Sequence, residues 1–307
     1  MTAMRDTFFN FLYEKAREDR NIIILSADFS APSLDKYRLN LPQQYQFMGI
    51  SEQNMMLVAA GLALEGKKVF CYAISPFVTL RCFEQTKLYA SGMDLPITLV
   101  GVGAGIAYED SGYTHHSLED IAIMRSLPHM KVFQPCDNED TEKIAAYALK
   151  SEHPMYVRLD RYGIDSLYAG EHDVESGLSV VKPMQKVTLL ASGSMMKVAL
   201  AAEQELSDHG ISVGVLNAET IPFSVDKFLK VTDGVEHLIT MEEHTLSGGL
   251  GGFVAETVFD KELPVKVKRV GFDLSGGYIE EFGGRDVIYR KYGIDRDAVV
   301  QLVKERV

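Results

Sequence analysis

Two segments of this chain combine side chains that can move protons with glycines that let the backbone approach a ligand closely. In the first, Glu52 follows Gly49 and opens a proline-free stretch rich in Met, Leu and Ala, which predicts a helix over 52–65. Glu52 then lies in the first turn of that helix, near the sheet edge where ligands bind in open α/β folds. The helix dipole also favours a carboxylate there, so the position alone fits a structural acid as well as a catalytic one.

The second segment is the glycine-rich loop 103–117, which contains several acids and the adjacent histidines His115 and His116. Long loops between a strand and a helix often carry function, and imidazole titrates near neutral pH. Packing alone explains this mixture of residues poorly, so the loop is a second candidate for chemistry. For His116, a plain surface histidine is an equally good interpretation.

The elements that must position these segments follow from short β-branched apolar runs that alternate with amphipathic stretches, the pattern of βαβ units. We predict an α/β fold with two tandem domains, each a mainly parallel sheet flanked by helices. The predicted strands are 21–26, 68–73, 96–102, 131–134, 155–159, 187–191, 211–216, 238–241 and 265–270. The predicted helices are 2–18, 52–65, 77–91, 137–150 and 195–209, one after 247–252, and the tail from 286.

The domain boundaries are expected where this periodicity fades. The first domain is predicted over 1–168 and the second over 186–307. Gly170, Gly177 and Pro183 punctuate the stretch between them, so a linker is predicted over 169–185.

The composition restricts the possible partners. The formal net charge is −12, with acidic residues spread along the chain, so neither nucleic acid nor anionic membrane is an expected partner. A pocket with a few cations can still bind a phosphorylated ligand. The three cysteines lack metal-ligand spacing and are interpreted as small buried hydrophobes, and no metal site is predicted in the chain. No apolar run approaches the ~20 residues of a membrane span, which favours a cytoplasmic protein.

The motif Phe47-Met-Gly-Ile-Ser-Glu-Gln-Asn-Met55 resembles the signature of the pyrimidine-binding domain in transketolases and deoxyxylulose-phosphate synthases. In that family, the glutamate hydrogen-bonds a ring nitrogen of the aminopyrimidine of thiamine diphosphate and favours its imino tautomer. The resemblance implies that Glu52 activates this cofactor through one short charge-assisted hydrogen bond.

Two further cofactor contacts are implied by the same resemblance. The segment 72–85 is similar to the aromatic stretch that covers the pyrimidine ring, with Phe77 as the contact and Phe83 as its support. A different alignment places Leu80 at the stacking position, where an aliphatic side chain would pack with less geometric control. Asp28 resembles the family's strand-end aspartate near the cofactor and the subunit boundary.

The loop resembles the family's Asp-Gly-Pro-Thr-His-Gln element through Thr114-His115. The resemblance implies that His115 faces the substrate and transfers a proton or hydrogen-bonds a ketose. Two positions depart from the family pattern. Ser111, next to Asp110, stands where an aspartate contacts the sugar, and Gly103 stands where a histidine contacts phosphate, so the substrate can differ in length, stereochemistry or phosphorylation.

Phosphate contacts are implied at the end of the first domain and near its start. The family has an acceptor-phosphate arginine at a position that Arg161 fits, with Arg158 as second choice, and guanidinium binds phosphate bidentately. Arg5 and Ser33 also resemble phosphate-contacting positions. For each arginine, a surface salt bridge is an equally good interpretation.

The second half resembles the transketolase C-terminal domain through 240–244 and the glycine-rich segment 247–252, which we interpret as a structural turn. The diphosphate-binding domain of the family has a Gly-Asp-Gly element that holds Mg²⁺, and this element does not occur in the sequence. A partner is therefore implied: a separate N-terminal subunit that binds the diphosphate and Mg²⁺, in an α₂β₂ assembly.

The leading interpretation is the C-terminal subunit of a split transketolase, which moves a two-carbon ketol unit between sugar phosphates. One alternative is the E1 β-type subunit of a 2-oxo-acid dehydrogenase. A deoxyxylulose-type acyl transferase also stays open because of Ser111 and Gly103. An alternative of another class is a non-catalytic scaffold that keeps the fold without the cofactor.

Overall fold

The computed structural model describes residues 2–28, 31–170 and 172–307. Its helices are α1 Met4–Ala16, α2 Pro32–Asn40, α3 Glu52–Leu64, α4 Ser75–Thr79, α5 Phe83–Gln85, α6 Asp120–Met124, α7 Asn138–Ala148, α8 Met195–Asp208, α9 Val225–Val231, α10 Leu250–Asp260, α11 Arg285–Tyr292 and α12 Arg296–Lys304. Its strands are β1 Ile22–Ser26, β2 Tyr45–Phe47, β3 Lys68–Ile74, β4 Ile97–Val102, β5 Lys131–Phe133, β6 Met155–Leu159, β7 Ser179–Lys182, β8 Val187–Ala191, β9 Gly214–Asn217, β10 Thr220–Ile221, β11 His237–Thr245 and β12 Lys266–Phe272.

The first sheet has seven strands in the order β10-β5-β6-β4-β3-β1-β2, all parallel except β10. Strands β1, β4 and β6 are buried along their whole length. A parallel sheet covered by helices on both faces requires such continuous apolar strands, which is why the β-branched runs predict them well.

The second sheet has five strands in the order β12-β11-β8-β9-β7, with β7 antiparallel to β9. Helices α8 and α10 pack against it, and α12 packs on α8. The predicted fold class, two tandem α/β domains with mainly parallel sheets, is confirmed.

The two halves are connected more closely than two domains on a linker. Strand β7 lies inside the predicted linker 169–185 and belongs to the second sheet. Strand β10, which follows β9 of the second sheet, crosses back and pairs with β5 at the edge of the first sheet. The second half of the chain therefore completes the first sheet.

The predicted continuous helix over 77–91 is wrong. The segment forms α4, then α5, then a π-helical turn at Thr86–Ser91. The Thr79 hydroxyl donates to the Ser75 carbonyl and the Cys82 thiol to the Val78 carbonyl, both four residues back. Side chains that bond to carbonyls in this way compete with the backbone ladder, which explains the interruption.

The glycine-rich segment 247–252 leads into α10, and two of its backbone amides are satisfied within the chain. The amides of Leu250 and Gly251 donate to the Glu242 carboxylate at 2.6 and 2.8 Å. A buried carboxylate at a helix N-terminus fills the place that an external anion would take. None of the helices in the described ranges has the length and apolar character needed to cross a membrane.

Candidate active site

Glu52 is the first residue of α3 and is only 2% exposed. The turn before it is set by Gly49, whose φ of +70° lies in the left-handed region, and by Ser51, whose hydroxyl donates to the Met48 carbonyl. Glu52 Oε1 accepts a hydrogen bond from Arg81 at 2.7 Å. In the described part of the chain, Oε2 of the same carboxylate is buried and has no hydrogen-bond partner.

The side chains predicted to cover a ring lie beside this carboxylate. The Arg81 guanidinium lies 4.1 Å from the centre of the Phe77 ring, while it also binds Glu52. Leu80 is about half exposed and lines the same cavity as Phe77. Phe77 and Phe83 both pack against the same hydrophobic core, but Phe83 does not line this cavity. The structure therefore brings Phe77 and Leu80 to the cavity, and Phe83 only to the core beside it.

His115 extends the site from Phe77 into the loop after β4. Its ring meets Phe77 edge-on at 5.3 Å, and Thr114 Oγ1 lies 2.9 Å from its Nδ1. The adjacent His116 is buried, and burial, followed by the charge of His115, lowers its pKa. His115 is half-exposed, so a ligand can reach its ring. His116 is buried, and its lowered pKa favours the neutral imidazole.

A cavity of about 430 Å³ is lined by Phe77, Leu80 and Arg81, by His116, and by Tyr278 of the second domain. Burial raises the pKa of Glu119 in its wall, which places a perturbed carboxyl in the same cavity as His116. Tyr113 of the loop stacks on Tyr278 of the second domain, with ring centres 5.1 Å apart. The second domain therefore supplies one wall of the cavity.

Two cationic side chains, Arg161 and Arg5, lie near the Tyr108 ring, which is itself next to His115. The Tyr108 ring lies 5.9 Å from His115, and the Arg161 guanidinium lies 4.7 Å above Tyr108. Arg161 makes only a loose ion pair with Asp110, at 3.6 Å, and Ser111 donates to the same Asp110 carboxylate. Phosphate oxygens could displace so long an ion pair easily, because Asp110 is exposed.

Gly103 explains why Tyr108 can take this position. Its φ is +95°, and a Cβ atom built on it would lie 2.2 Å from the Tyr108 ring. The Tyr108 ring therefore occupies the space that a side chain at position 103 would fill. Burial, and next the Asp28 carboxylate, raises the pKa of Tyr108, while Arg161 and Arg5 oppose the rise. Asp28, Arg5 and Arg161 therefore all act on one ring.

The remaining predicted residues near the N-terminus surround the ends of β1 and β3. Tyr72 donates to the Asp28 carboxylate at 3.3 Å. Arg5 pairs with Asp6 at 3.2 Å, and Asp6 also accepts from the backbone amide of Ser33. Ser33 is buried, so its neighbourhood is shielded, while Arg5 is close enough to act on Tyr108.

The structure does not support Arg158 as a phosphate contact. Its side chain points from β6 into the interior of the molecule and is buried. The guanidinium binds Asp120 at 2.7 Å and donates to the carbonyls of Ser117 and Glu243. These contacts are internal and together they join the two domains, so Arg158 is a structural residue.

Sequence reasoning missed three residues of the site. Arg81 had a partial signal, since it follows Phe77 by four residues in the predicted helix, but the structure places it in the turn after α4. Tyr108 had only its place in a glycine-rich loop. Tyr278 had none, because its contact with Tyr113 joins two distant parts of the chain.

Comparisons with known proteins identify the family of this chain. Residues 1–164 match the transketolase pyrimidine binding domain and residues 177–299 the transketolase C-terminal domain. The chain is 32% identical to one of the subunits of the apulose-4-phosphate transketolase of Phocaeicola vulgatus, covering 99% of this chain and 97% of the relative. It is 33% identical to 6-deoxy-6-sulfo-D-fructose transketolase subunit SqwH of a Clostridium species, covering 98% and 94%.

A solved split gene transketolase, described as an inactive beta4 tetramer, has the same fold. Its TM-score is 0.86 at 32% identity, over 99% of this chain and 97% of that one. The chain belongs to the transketolase family and corresponds to the C-terminal subunit of a split transketolase.

Proposed function

We propose that this chain is the C-terminal subunit of a transketolase that uses thiamine diphosphate to transfer a two-carbon ketol unit between sugar phosphates. The observation that carries the proposal is the buried Glu52 carboxylate, with one oxygen held by Arg81 and the other unpartnered in the described residues. An aminopyrimidine ring would fit this arrangement, because Glu52 Oε2 would accept a hydrogen bond from a protonated ring nitrogen and Phe77 and Leu80 line the adjacent cavity.

The chain's own residues have separate tasks in this proposal. When bound, thiamine diphosphate supplies the nucleophilic carbon that breaks and forms the carbon–carbon bond. Glu52 holds the proton at the ring nitrogen, and the Arg81 guanidinium keeps the carboxylate oriented toward it. Phe77 excludes water from one side of the ring. His115, in contact with Phe77, accepts or donates the proton of a substrate hydroxyl.

The substrate end is the group of cations around Tyr108. In this proposal Arg161 and Arg5 bind a phosphate, and Asp110 binds a sugar hydroxyl. The support is that both arginines act on the Tyr108 ring and that Arg161 pairs only loosely with the exposed Asp110. Tyr108 fills the space over Gly103, so the acceptor site differs in shape from one with a histidine there. The two relatives carry different sugars in their names, which is consistent with variation at this end of the site.

A partner subunit is part of the proposal. Leu57, Val58 and Leu64 on α3 are exposed, and Leu88 is exposed on the π-helical turn that packs against α3. Exposed large apolar side chains on the helix that begins at Glu52 are typical of a subunit interface. We assign this face to the N-terminal subunit, which would bring the diphosphate and Mg²⁺ to Glu52 in an α₂β₂ assembly.

The test is reconstitution of the chain with its N-terminal partner, with and without Mg²⁺. Thiamine diphosphate binding is measured by calorimetry, and turnover is measured with ketose phosphates and with 2-oxo acids as donors. The Glu52→Gln variant should lose roughly 10²–10⁴-fold in turnover, the range of a positioned proton-transfer group. Glu65→Gln, an exposed acid at the end of the same helix, is the matched control.

Unchanged turnover by the Glu52→Gln complex would overturn the assigned role of this residue. Turnover of 2-oxo acids alone would favour the dehydrogenase-type subunit instead. A complex that binds no thiamine diphosphate would favour a non-catalytic scaffold.

A further inference from the structure

A buried polar cluster lies where the first domain, the connecting segment and the second domain meet. Asp140 is on α7, His172 is in the segment between β6 and β7, and Glu219 directly precedes β10. All three residues are buried. They are separate from the cavity beside Phe77, which other residues line. Such a cluster needs a physical explanation, since buried ionisable groups are costly unless they are neutralised.

The distances within the cluster are those of a metal site. One donor atom from each of the three side chains lies within 4.8 Å of the other two. His172 Nδ1 is 3.5 Å from Asp140 Oδ1. Zinc–ligand bonds of about 2.0–2.2 Å in tetrahedral geometry put neighbouring ligands about 3.4 Å apart. The His172–Asp140 pair therefore already has the required spacing, and Glu219 needs only a side-chain adjustment.

The charges of the cluster call for a cation. Within the described ranges, no lysine or arginine forms an ion pair with Asp140 or Glu219, and Asp140 Oδ1 and Glu219 Oε2 have no hydrogen-bond partner. One divalent cation would neutralise both carboxylates.

The surrounding side chains are arranged as a supporting layer. Nε2 of His172 has no hydrogen-bond partner among the described residues, and the nearest carboxylate is that of Glu139, at 3.9 Å. A metal-bound histidine usually directs its second ring nitrogen at a carboxylate, which fixes the tautomer. The Tyr168 ring stacks on His172 at 4.4 Å and brings its hydroxyl to 3.0 Å from Nδ1. The Oδ1 atom of Asn217 is buried without a partner among the described residues.

An ion could reach this site from the surface. A cavity of about 650 Å³ lies between α7 and the connecting segment, and His172 forms part of its wall together with Tyr147 and Asp173. Metal sites need such an entry path unless the ion is enclosed during folding.

We propose that Asp140, His172 and Glu219 bind one divalent transition-metal cation, with Zn²⁺ as the representative ion, and that this ion ties the two domains together. One imidazole and two carboxylates are ligands that suit zinc-like ions. The Tyr168 hydroxyl, 3.0 Å from His172 Nδ1, or a water molecule would provide the fourth ligand. The site is structural, because the protein encloses its three ligands on all sides except the entry path.

The experiment uses the full chain, stripped with a chelator and titrated with Zn²⁺ and with Co²⁺. We expect one tightly bound equivalent, tetrahedral Co²⁺ absorption bands, and a higher Tm with metal. Anomalous scattering from Zn²⁺-soaked crystals of the unmodified chain should place the ion between the three side chains. The near-isosteric Glu219→Gln and the His172→Gln variants should each bind Zn²⁺ more than about 10-fold more weakly, since even supporting residues contribute 10–100-fold.

The control is a second group of possible ligands, the exposed cluster of Asp94, His129 and His153, where His153 Nδ1 lies 2.9 Å from Asp94. The His153→Gln variant should leave the tight equivalent unchanged. Loss of that equivalent in His153→Gln, or its retention in both Glu219→Gln and His172→Gln, would overturn the proposal. So would the absence of any bound metal and of any Tm change.

Discussion

At the scale of single residues, the Glu52–Arg81 pair is the centre of the site. Glu52 is buried while Arg81 is 39% exposed, so solvent screens much of the Coulomb attraction between them. The main contribution of Arg81 is therefore the hydrogen bond that satisfies one oxygen of a buried carboxylate. A bound ring would satisfy the other oxygen, which makes Arg81 a positioning residue for Glu52.

This role predicts an energetic coupling between the two side chains. Arg81→Met should lower the free energy of unfolding by about 1–3 kcal/mol, the cost of a buried group that loses its partner. The loss caused by Arg81→Met should be smaller in the Glu52→Gln background. Urea denaturation of the four members of the double-mutant cycle measures this coupling. Arg17→Met, which removes the exposed pair with Glu14, should cost under about 1 kcal/mol, and a coupling near zero for Glu52–Arg81 would contradict the assignment.

A second residue-scale prediction concerns pH. Burial lowers the pKa of His244 to about 4, below its ordinary value of 6.5. Its neutral ring is satisfied at both nitrogens, with Nδ1 near the Thr245 carbonyl and Nε2 near the Ala122 amide. Because the folded-state pKa is depressed, this stabilisation is complete above pH 6.5 and is lost as the pH falls toward 4.

The His244→Asn variant should therefore lose less stability than the parent chain between pH 6.5 and 4, although it is less stable at about pH 8. His209→Asn, at an exposed position, should follow the parent chain. Denaturation midpoints measured between pH 6.5 and 4 test this prediction. Parallel curves for His244→Asn and the parent chain would show that His244 does not cause the loss of stability at low pH.

At the scale of elements, three glycines of the loop between β4 and α6 have positive φ, and Gly103 and Gly112 differ in the space around them. Gly103 and Gly112 both have positive φ, +95° and +69°. A Cβ atom at 103 would collide with Tyr108, whereas nothing lies within 4 Å of one at 112. Both substitutions to alanine carry backbone strain, but only the first also displaces the ring between Arg161 and His115.

Gly103→Ala should accordingly be more destabilising than Gly112→Ala by about 1–3 kcal/mol, the usual cost of overpacking. Adding Tyr108→Ala should remove most of the difference, because it removes the colliding ring. Equilibrium unfolding of the three variants gives the comparison. Equal costs for the two glycine substitutions would show that Tyr108 can move aside freely.

At the scale of the whole molecule, the two halves share buried polar contacts as well as a strand. Arg285, at the start of α11, donates to Glu243 at 2.9 Å and pairs with Asp160 at 2.8 Å. Asp160 directly follows β6 of the first sheet, while Glu243 lies on β11 of the second. The guanidinium is therefore a bridge between the two sheets.

Arg285→Met should destabilise the chain by about 3–5 kcal/mol, because it leaves two buried carboxylates without their cation. Arg296→Met, which removes an exposed arginine from α12, should change the free energy of unfolding by under about 1 kcal/mol. Thermal or urea unfolding gives both values. A loss for Arg285→Met as small as that for Arg296→Met would mean that the interface relaxes to solvate Asp160 and Glu243.

The sequence by itself determined the α/β class, most of the central strands, and the segments that carry Glu52, Phe77 and His115. These are local properties: buried parallel strands need continuous apolar runs, and a helix start needs only a few neighbouring residues. Strands β2, β7 and β10 were missed because they are short and depend on neighbouring strands for pairing, and helices α2, α6 and α9 because they are too short for a clear apolar period.

Only the tertiary structure decided how these segments combine, because the decisive contacts join distant parts of the chain. It paired Glu52 with Arg81, replaced the side chain expected at 103 by the Tyr108 ring, and buried Arg158 between the domains. It also gathered Asp140, His172 and Glu219, whose wide spacing in the sequence gives no signal of a shared site. A side chain's role depends on its burial and neighbours, which the sequence leaves open until the chain has folded.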